Sequence, residues 1–345
     1  MTVYAPTEYI DFDQARAHQA HQLGVAIERI GRQLEEWHEA GSLDGAGPVF
    51  LGIGASYAAA CAPVWALRKR GIDAWRLSAG DAPVPYPPSD HPVIGVSQSG
   101  RSAETLDALA SLAEDRRRAV VNTAPSPLTE LIPGSLTLGS LRDSYASTIG
   151  YTATIAALGM IADRWDGGSL DAGWNDLPTV FAEVDASITD SIDRAVELFD
   201  GAAWADLVGA APAAGSAEEG ALLLREVARV AATGMSTRQY LHGSMESAGG
   251  GVHVVFGDRR EIGVARTLLD AGHRVVLVTR QEIADEPGLA VVRLPQRPAA
   301  QRAILEASVV QALSAGVARA RGIAIEEFVF HADDIKVSSA ATEGA

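Results

Sequence analysis

The sequence predicts an α/β protein made of two tandem units, each a doubly wound parallel sheet with helices on both faces in a three-layer αβα arrangement. Three observations carry this. Short apolar runs alternate with stretches of helical period, glycine- or serine-rich turns separate them, and the cycle begins again after residue 200. A chain of 345 residues also has room for two cores of ordinary size.

The elements follow in order. Residues 15–40 carry apolar positions at helical spacing and end before a glycine, so they form one long helix that need not belong to either core. PVFLGIGAS is a strand running into a turn, and SYAAACAPVWALRKRG is a helix closed by Gly71. IDAWRLSAGD gives a second strand and HPVIGVSQSG a third, with a helix over 101–116; RRAVVNT and SLTLGS are the fourth and fifth strands. A long helix through TIGYTATIAALGMIADRW closes the first cycle, and 170–200 is a helical connector with Pro178 inside its pattern. In the second cycle AWADLVG is a strand, EEGALLLREVARV a helix, GGGVHVVFGD a strand and REIGVARTLLDAGH a helix. RVVLVT and AVVRLP are further strands, and QRAILEASVVQALSAGVARARG is the last helix. The expected division is an N-terminal helical segment at 1–45, a first unit at 46–198, a second at 199–330 and a tail at 331–345.

Composition narrows the function. A net charge of −16 argues against nucleic acid as a partner, because phosphate backbones need a basic footprint. No uninterrupted apolar run approaches the roughly 20 residues of a membrane span, and the acidic N-terminal stretch lacks a signal-like core, so a cytoplasmic protein is expected. Cys61, the one cysteine, falls in a small apolar helical run and reads as a buried hydrophobe rather than a nucleophile. The histidines show no HxH or HExxH spacing, so no metal is expected. GIGAS at 52–56 lacks the third glycine of a dinucleotide turn, and no suitable acid ends the next strand, IDAWRLS, so no cofactor is expected either.

The chemistry concentrates in VIGVSQSGRSAETLDAL, 93–109, where a buried strand breaks into Ser97, Gln98, Ser99, a glycine and Ser102 before a helix. Hydroxyls, an amide, a backbone free of Cβ and the unpaired N–H groups of a helix start together cradle a tetrahedral anion such as a phosphate monoester. A single serine there would be only a helix cap; four polar residues in six positions favour the anion site. The second half has no such loop, since HVVFGD runs into Arg259 and Arg260. One phosphate site per chain follows, with the arginines read as a solvated turn and an alternative anion site the lesser reading.

These residues resemble the sugar isomerase (SIS) domain family, and within it the isomerase half of glucosamine-6-phosphate synthase, from about residue 25 onward. SQSGRSAET is similar to that family's SQSGET phosphate loop, GIGASY to its CGTSY turn with Ser56 at the serine, and DSYASTIGYTA to EIGVASTKAFT, which implies Ser147 and Thr148 lining the sugar. EEGALLLREVARV…QYLHGSM resembles EGALKLKEISY…GELKHGP, so the resemblance implies a catalytic glutamate at Glu226 and a catalytic histidine at His242. DDIKVSSA resembles NLAKSVTVE and implies an active-site lysine at Lys336. The pattern departs at Ala55, Ile149, Gln239 and Ser244, where the family has threonine, lysine, glutamate and proline.

The implied activity is isomerisation or deamination of an amino- or amine-conjugated hexose phosphate, without a glutaminase domain. A histidine can open the ring, a carboxylate can move the C1/C2 proton, and a lysine can condense with a ketose carbonyl. Glu246 is a lesser candidate for a substrate amine. A fructosamine-type 6-phosphate deglycase and a non-catalytic sugar-phosphate sensor are the alternatives. The resemblance also implies a homodimer whose active site forms between subunits.

Overall fold

The computed structural model describes residues 8–330 and 336–337. It contains two parallel five-stranded sheets, as the strand and helix alternation predicts. The first comprises β1 (Val49–Gly52), β2 (Trp75–Ser78), β3 (Val93–Ser97), β4 (Arg117–Val121) and β5 (Leu136–Thr137), in the order β2-β1-β3-β4-β5. The second comprises β6 (Trp204–Gly209), β7 (Ala231–Ser236), β8 (Val252–Phe256), β9 (Arg274–Thr279) and β10 (Leu289–Arg293), in the order β7-β6-β8-β9-β10. Both sheets therefore have the same topology. Each reverses direction next to its first strand, between β1 and β3 and between β6 and β8, where a doubly wound sheet opens a crevice at the strands' carboxyl ends.

The strand β7 corrects the sequence reading, which assigned AATGMS to no element. It is a sheet edge made mostly of small residues with only one of its six positions buried, so it lacks the apolar run that marks a central strand. The expected helix after β1 is two helices, α2 (Ala55–Ala59) and α3 (Cys61–Lys69), joined at Ala60. The helix expected over 101–116 stops early as α4 (Ala103–Ala110), and a short α5 (Pro127–Leu131) follows β4. The connector is likewise two helices, α7 (Leu177–Ser187) and α8 (Thr189–Glu197); Pro178 opens α7, where a missing N–H costs nothing.

The long N-terminal helix α1 (Phe12–Glu39) is part of the core. Phe12, Leu23, Ile30, Leu34 and Trp37 are buried, mostly against α6 (Ile149–Arg164). The main core lies between the sheets, where α6, α9 (Ala214–Glu226) and α12 (Ala299–Ala320) pack on one another and on the inner faces at Phe50, Ile94, Leu207 and Val254. α12 is long and apolar enough to cross a membrane, but its residues are buried in this core. α4 and α5 cover the outer face of the first sheet. α10 (Thr237–Leu241) and α11 (Arg260–Asp270) cover that of the second. With both faces covered, every central strand can be apolar throughout.

Candidate active site

The serine loop leaves the carboxyl end of β3 at the first sheet's reversal point. Ser97 Oγ accepts from the Gly100 N–H at 3.0 Å and lies 3.1 Å from Ser102 Oγ; Ser99 Oγ accepts from the Arg101 N–H at 3.3 Å. Ser102 holds the N-cap position of α4, yet its hydroxyl caps nothing. The first-turn N–H groups thus lack the side-chain acceptor a helix start usually recruits, as an anion cradle requires. Gly100 has φ +65°, and a Cβ there would meet Ser126 Oγ at 2.2 Å, so only glycine permits this turn.

Gln98 packs flat on Gly150, where a Cβ would come within 2.1 Å of its amide, and its buried Oε1 has no partner. Ser147 and Thr148 lie in the adjoining turn, organised by the buried Asp143. That carboxylate accepts from Ser147 Oγ at 2.7 Å, Thr148 Oγ1 at 2.8 Å, and the N–H groups of Ile149 at 3.0 Å and Gly150 at 2.8 Å. Thr148 holds the N-cap position of α6 without a side-chain cap, and Asp143, six residues before the helix, takes the first-turn N–H groups in its place; that distance is why the sequence reading missed the role. Thr148 is fully buried and Ser147 half-buried.

α9 brings the second half to this place. Gly215 packs on Ala58 and Cys61, and Leu222 reaches Gly54, so the helix runs along α3 and α2 past Ser56 towards the first sheet's carboxyl end. Arg76 of β2 fixes it by a two-pronged pair with Glu218, one contact at 2.8 Å, while its guanidinium lies 4.1 Å from the Tyr57 ring centroid. Cys61 is buried here, and burial pushes its thiol up to about 11, which fits a packing role.

Glu226, at the end of α9, lines a cavity of about 560 Å³ with Tyr145, Arg229, Phe328 and Phe330. The residue as a whole is exposed, but the protein crowded around its carboxyl group disfavours the ionised form and pushes its pKa up to about 7. Two turns back, Glu219 is fully buried with Oε2 unpaired, and burial together with the Glu226 charge holds it well above the ordinary carboxylate range. Lys336 is exposed, pairs by its backbone with Ser102, and places Nζ 5.9 Å from the Tyr145 ring centroid. Arg101 holds the adjoining Val337, donating from Nε to Val337 O at 2.9 Å and accepting at its backbone O from the Val337 N–H at 3.0 Å.

Serine loop, Lys336, Tyr145 and Glu226 thus form one neighbourhood. His242 does not join it within the chain. It is exposed at the end of α10, beyond the carboxyl end of β7, whereas Glu226 lies just before the start of that strand. Six residues of strand separate the two ends by roughly 20 Å. Glu246 is exposed in the turn at 244–247 after His242.

No protein-family model and no curated protein matches the chain; solved structures do. It superposes on the C-terminal domain of glucosamine-fructose-6-phosphate aminotransferase from Francisella tularensis with TM-score 0.75 at 16% identity, covering 92% of this chain and 98% of that one. It matches tagatose-6-phosphate ketose/aldose isomerase from Escherichia coli with TM-score 0.76 at 16% identity over 97% and 100% of the two chains. For glucosamine-6-phosphate deaminase from Thermotoga maritima the TM-score is 0.66 at 18% identity over 89% and 95%. With the same strand order in both sheets and a serine loop at the first reversal point, the chain has the sugar-isomerase (SIS) fold that these phosphosugar enzymes share.

Proposed function

We propose that this chain is an aldose–ketose isomerase or deaminase acting on an amino- or amine-conjugated hexose phosphate. The observation that carries it is the convergence of Glu226 and Tyr145 on one cavity, with Lys336 beside Tyr145 and paired to the serine loop; the crowding that pushes Glu226 up to about 7 is in keeping with a base. A sugar-phosphate sensor needs the loop but gains nothing from a base poised near neutral pH. Ser97, Gln98, Ser99 and Ser102, with the α4 N-terminus, hold the phosphate. Ser56, Ser147 and Thr148 shape the sugar's flank, Thr148 through Asp143 rather than by contact.

In this reading Glu226 takes the proton from C1 or C2 of the open-chain sugar, leaving an enediol or enolamine, and returns it to the neighbouring carbon. Lys336 condenses with a ketose carbonyl, releasing water and giving an imine that draws electrons from the same carbon. Ring opening falls to His242. Its separation from Glu226 within one chain supports a homodimer in which each subunit's histidine completes the other's site.

The test is turnover, ammonia release and solvent deuterium incorporation at C1 or C2, measured with glucosamine 6-phosphate, hexose 6-phosphates and fructosamine 6-phosphates. Exchange that disappears in Glu226→Gln is the expected result. Tight sugar-phosphate binding with neither exchange nor turnover across the panel would leave a sensor instead.

A further inference from the structure

The second sheet reverses between β6 and β8 as the first does between β1 and β3, and there too a crevice opens, a cavity of about 620 Å³. Loops after three strands converge on it: Ala210 and Ala211 after β6, Thr237 and Arg238 after β7, Arg259 and Arg260 after β8. Arg238, Arg259 and Arg260 are exposed, and among the described residues none forms an ion pair with a carboxylate. That is unusual company in a chain of net charge −16. Thr237 also lines the crevice, is 3% exposed, and its hydroxyl has no partner. Trp65 and Trp75 form the opposite wall, 44% and 52% exposed. Arg68 already lies over Trp75, 4.2 Å from the ring centroid.

Two carboxylates are close by. Glu218 is taken up by Arg76, and Glu261 lines the wall, one negative charge against three uncommitted guanidiniums. A neighbouring cavity of about 350 Å³ shares Ala210, Ala211, Arg259 and Glu261, so the opening extends along the sheet end. The crevice is not part of the sugar site: Ala214 at the start of α9 lines it, whereas Glu226 at the end of α9 lines the other cavity, roughly 18 Å away along the helix.

We propose that this crevice is a second binding site, for a small organic phosphate that carries a flat ring. Guanidiniums recognise phosphate oxygens in forked geometry, the buried Thr237 hydroxyl supplies a further hydrogen bond, and an exposed indole offers a face on which a ring stacks. The site stands whether or not Glu226 is catalytic, because it shares no residue with the serine loop.

The experiment uses the full chain carrying Ser99→Ala and Ser102→Ala, which weakens the serine-loop site, titrated with adenosine 5′-monophosphate and with ribose 5-phosphate by calorimetry and tryptophan fluorescence. The expected result is one site for the nucleotide with a change in tryptophan emission, at least tenfold weaker binding of ribose 5-phosphate, and at least tenfold weaker nucleotide binding in Arg259→Gln/Arg260→Gln and in Trp65→Leu. Should the double arginine variant fail to fold, Arg238→Gln, on an exposed helix position, gives the same reading. No nucleotide binding, equal binding in the folded arginine variants, equal binding of ribose 5-phosphate, or a change of oligomeric state in place of a change in affinity would each overturn the assignment.

Discussion

Ser102 Oγ lies 3.1 Å from Ser97 Oγ instead of capping the helix it precedes, so one hydroxyl pair closes the loop while the N–H groups of α4 stay open to a ligand. Ser99→Ala and Ser102→Ala should each raise KM for the phosphosugar about tenfold or more, since a hydrogen bond to a charged group contributes about 1.5–3 kcal/mol. Steady-state kinetics check this, and melting temperatures near wild type separate it from misfolding. Unchanged affinity in both variants would place the phosphate elsewhere.

Gly100→Ala should do more damage than either serine change. Its φ of +65° strains any side chain, and the new Cβ would collide with Ser126 and Val121. A loss of about 1–3 kcal/mol in stability, together with loss of phosphate affinity, is expected from such a position. Denaturant unfolding and calorimetry read the two effects.

For Glu226, activity depends on the ionised base, so kcat/KM should rise with pH through about 7 and level off above it. Glu226→Gln should keep ligand affinity and lower kcat roughly 100-fold or more, and its residual rate should lack that rise. A variant that retains the inflection near 7 would assign the base to another group.

Asp143→Ala should loosen the whole 143–150 turn, because one carboxylate serves Ser147, Thr148, Ile149 and Gly150 at once. Loss of the acceptor for a helix's first-turn N–H groups costs about 1–2 kcal/mol. Because Gln98 rests on Gly150, the sugar site should weaken with it. Denaturant midpoints and KM are the readouts; a stable variant with unchanged KM would show that the turn holds itself.

His253 gives a pH dependence of stability. It is fully buried in β8, with Nδ1 3.0 Å from Tyr240 Oη and 4.0 Å from Asp206, and burial, aided by the His273 charge, pushes its pKa down to about 4. Between about 4 and 6.5 the unfolded chain binds a proton that the folded chain refuses, so stability falls as pH drops through that window. The loss is at most about 3 kcal/mol from this residue. His253→Asn should flatten the slope in denaturant titrations between those pH values; an unchanged slope would assign it to carboxylates.

What the sequence by itself determined is the local and contiguous part. The alternation of apolar strands with helices established two parallel sheets, since buried strands and amphipathic helices each write their period within a few residues. The serine loop was legible for the same reason: its hydroxyls, glycine and helix start are neighbours in the chain. The edge strand β7 was not, because AATGMS buries only one of its six positions and owes its extended form to pairing with β6. Nor was the place of α1 in the core, which depends on α6 being there to receive Leu23, Ile30 and Leu34. Only tertiary structure decided the chemical neighbourhood. Glu226, Tyr145 and Lys336 are far apart in sequence and meet because α9 packs on α2 and α3 as well as on β6 and β7, and because residues 336–337 dock on Arg101 and Ser102. The tuning of Glu226 belongs there too, since desolvation is a property of what surrounds a carboxylate and no spacing of residues encodes it.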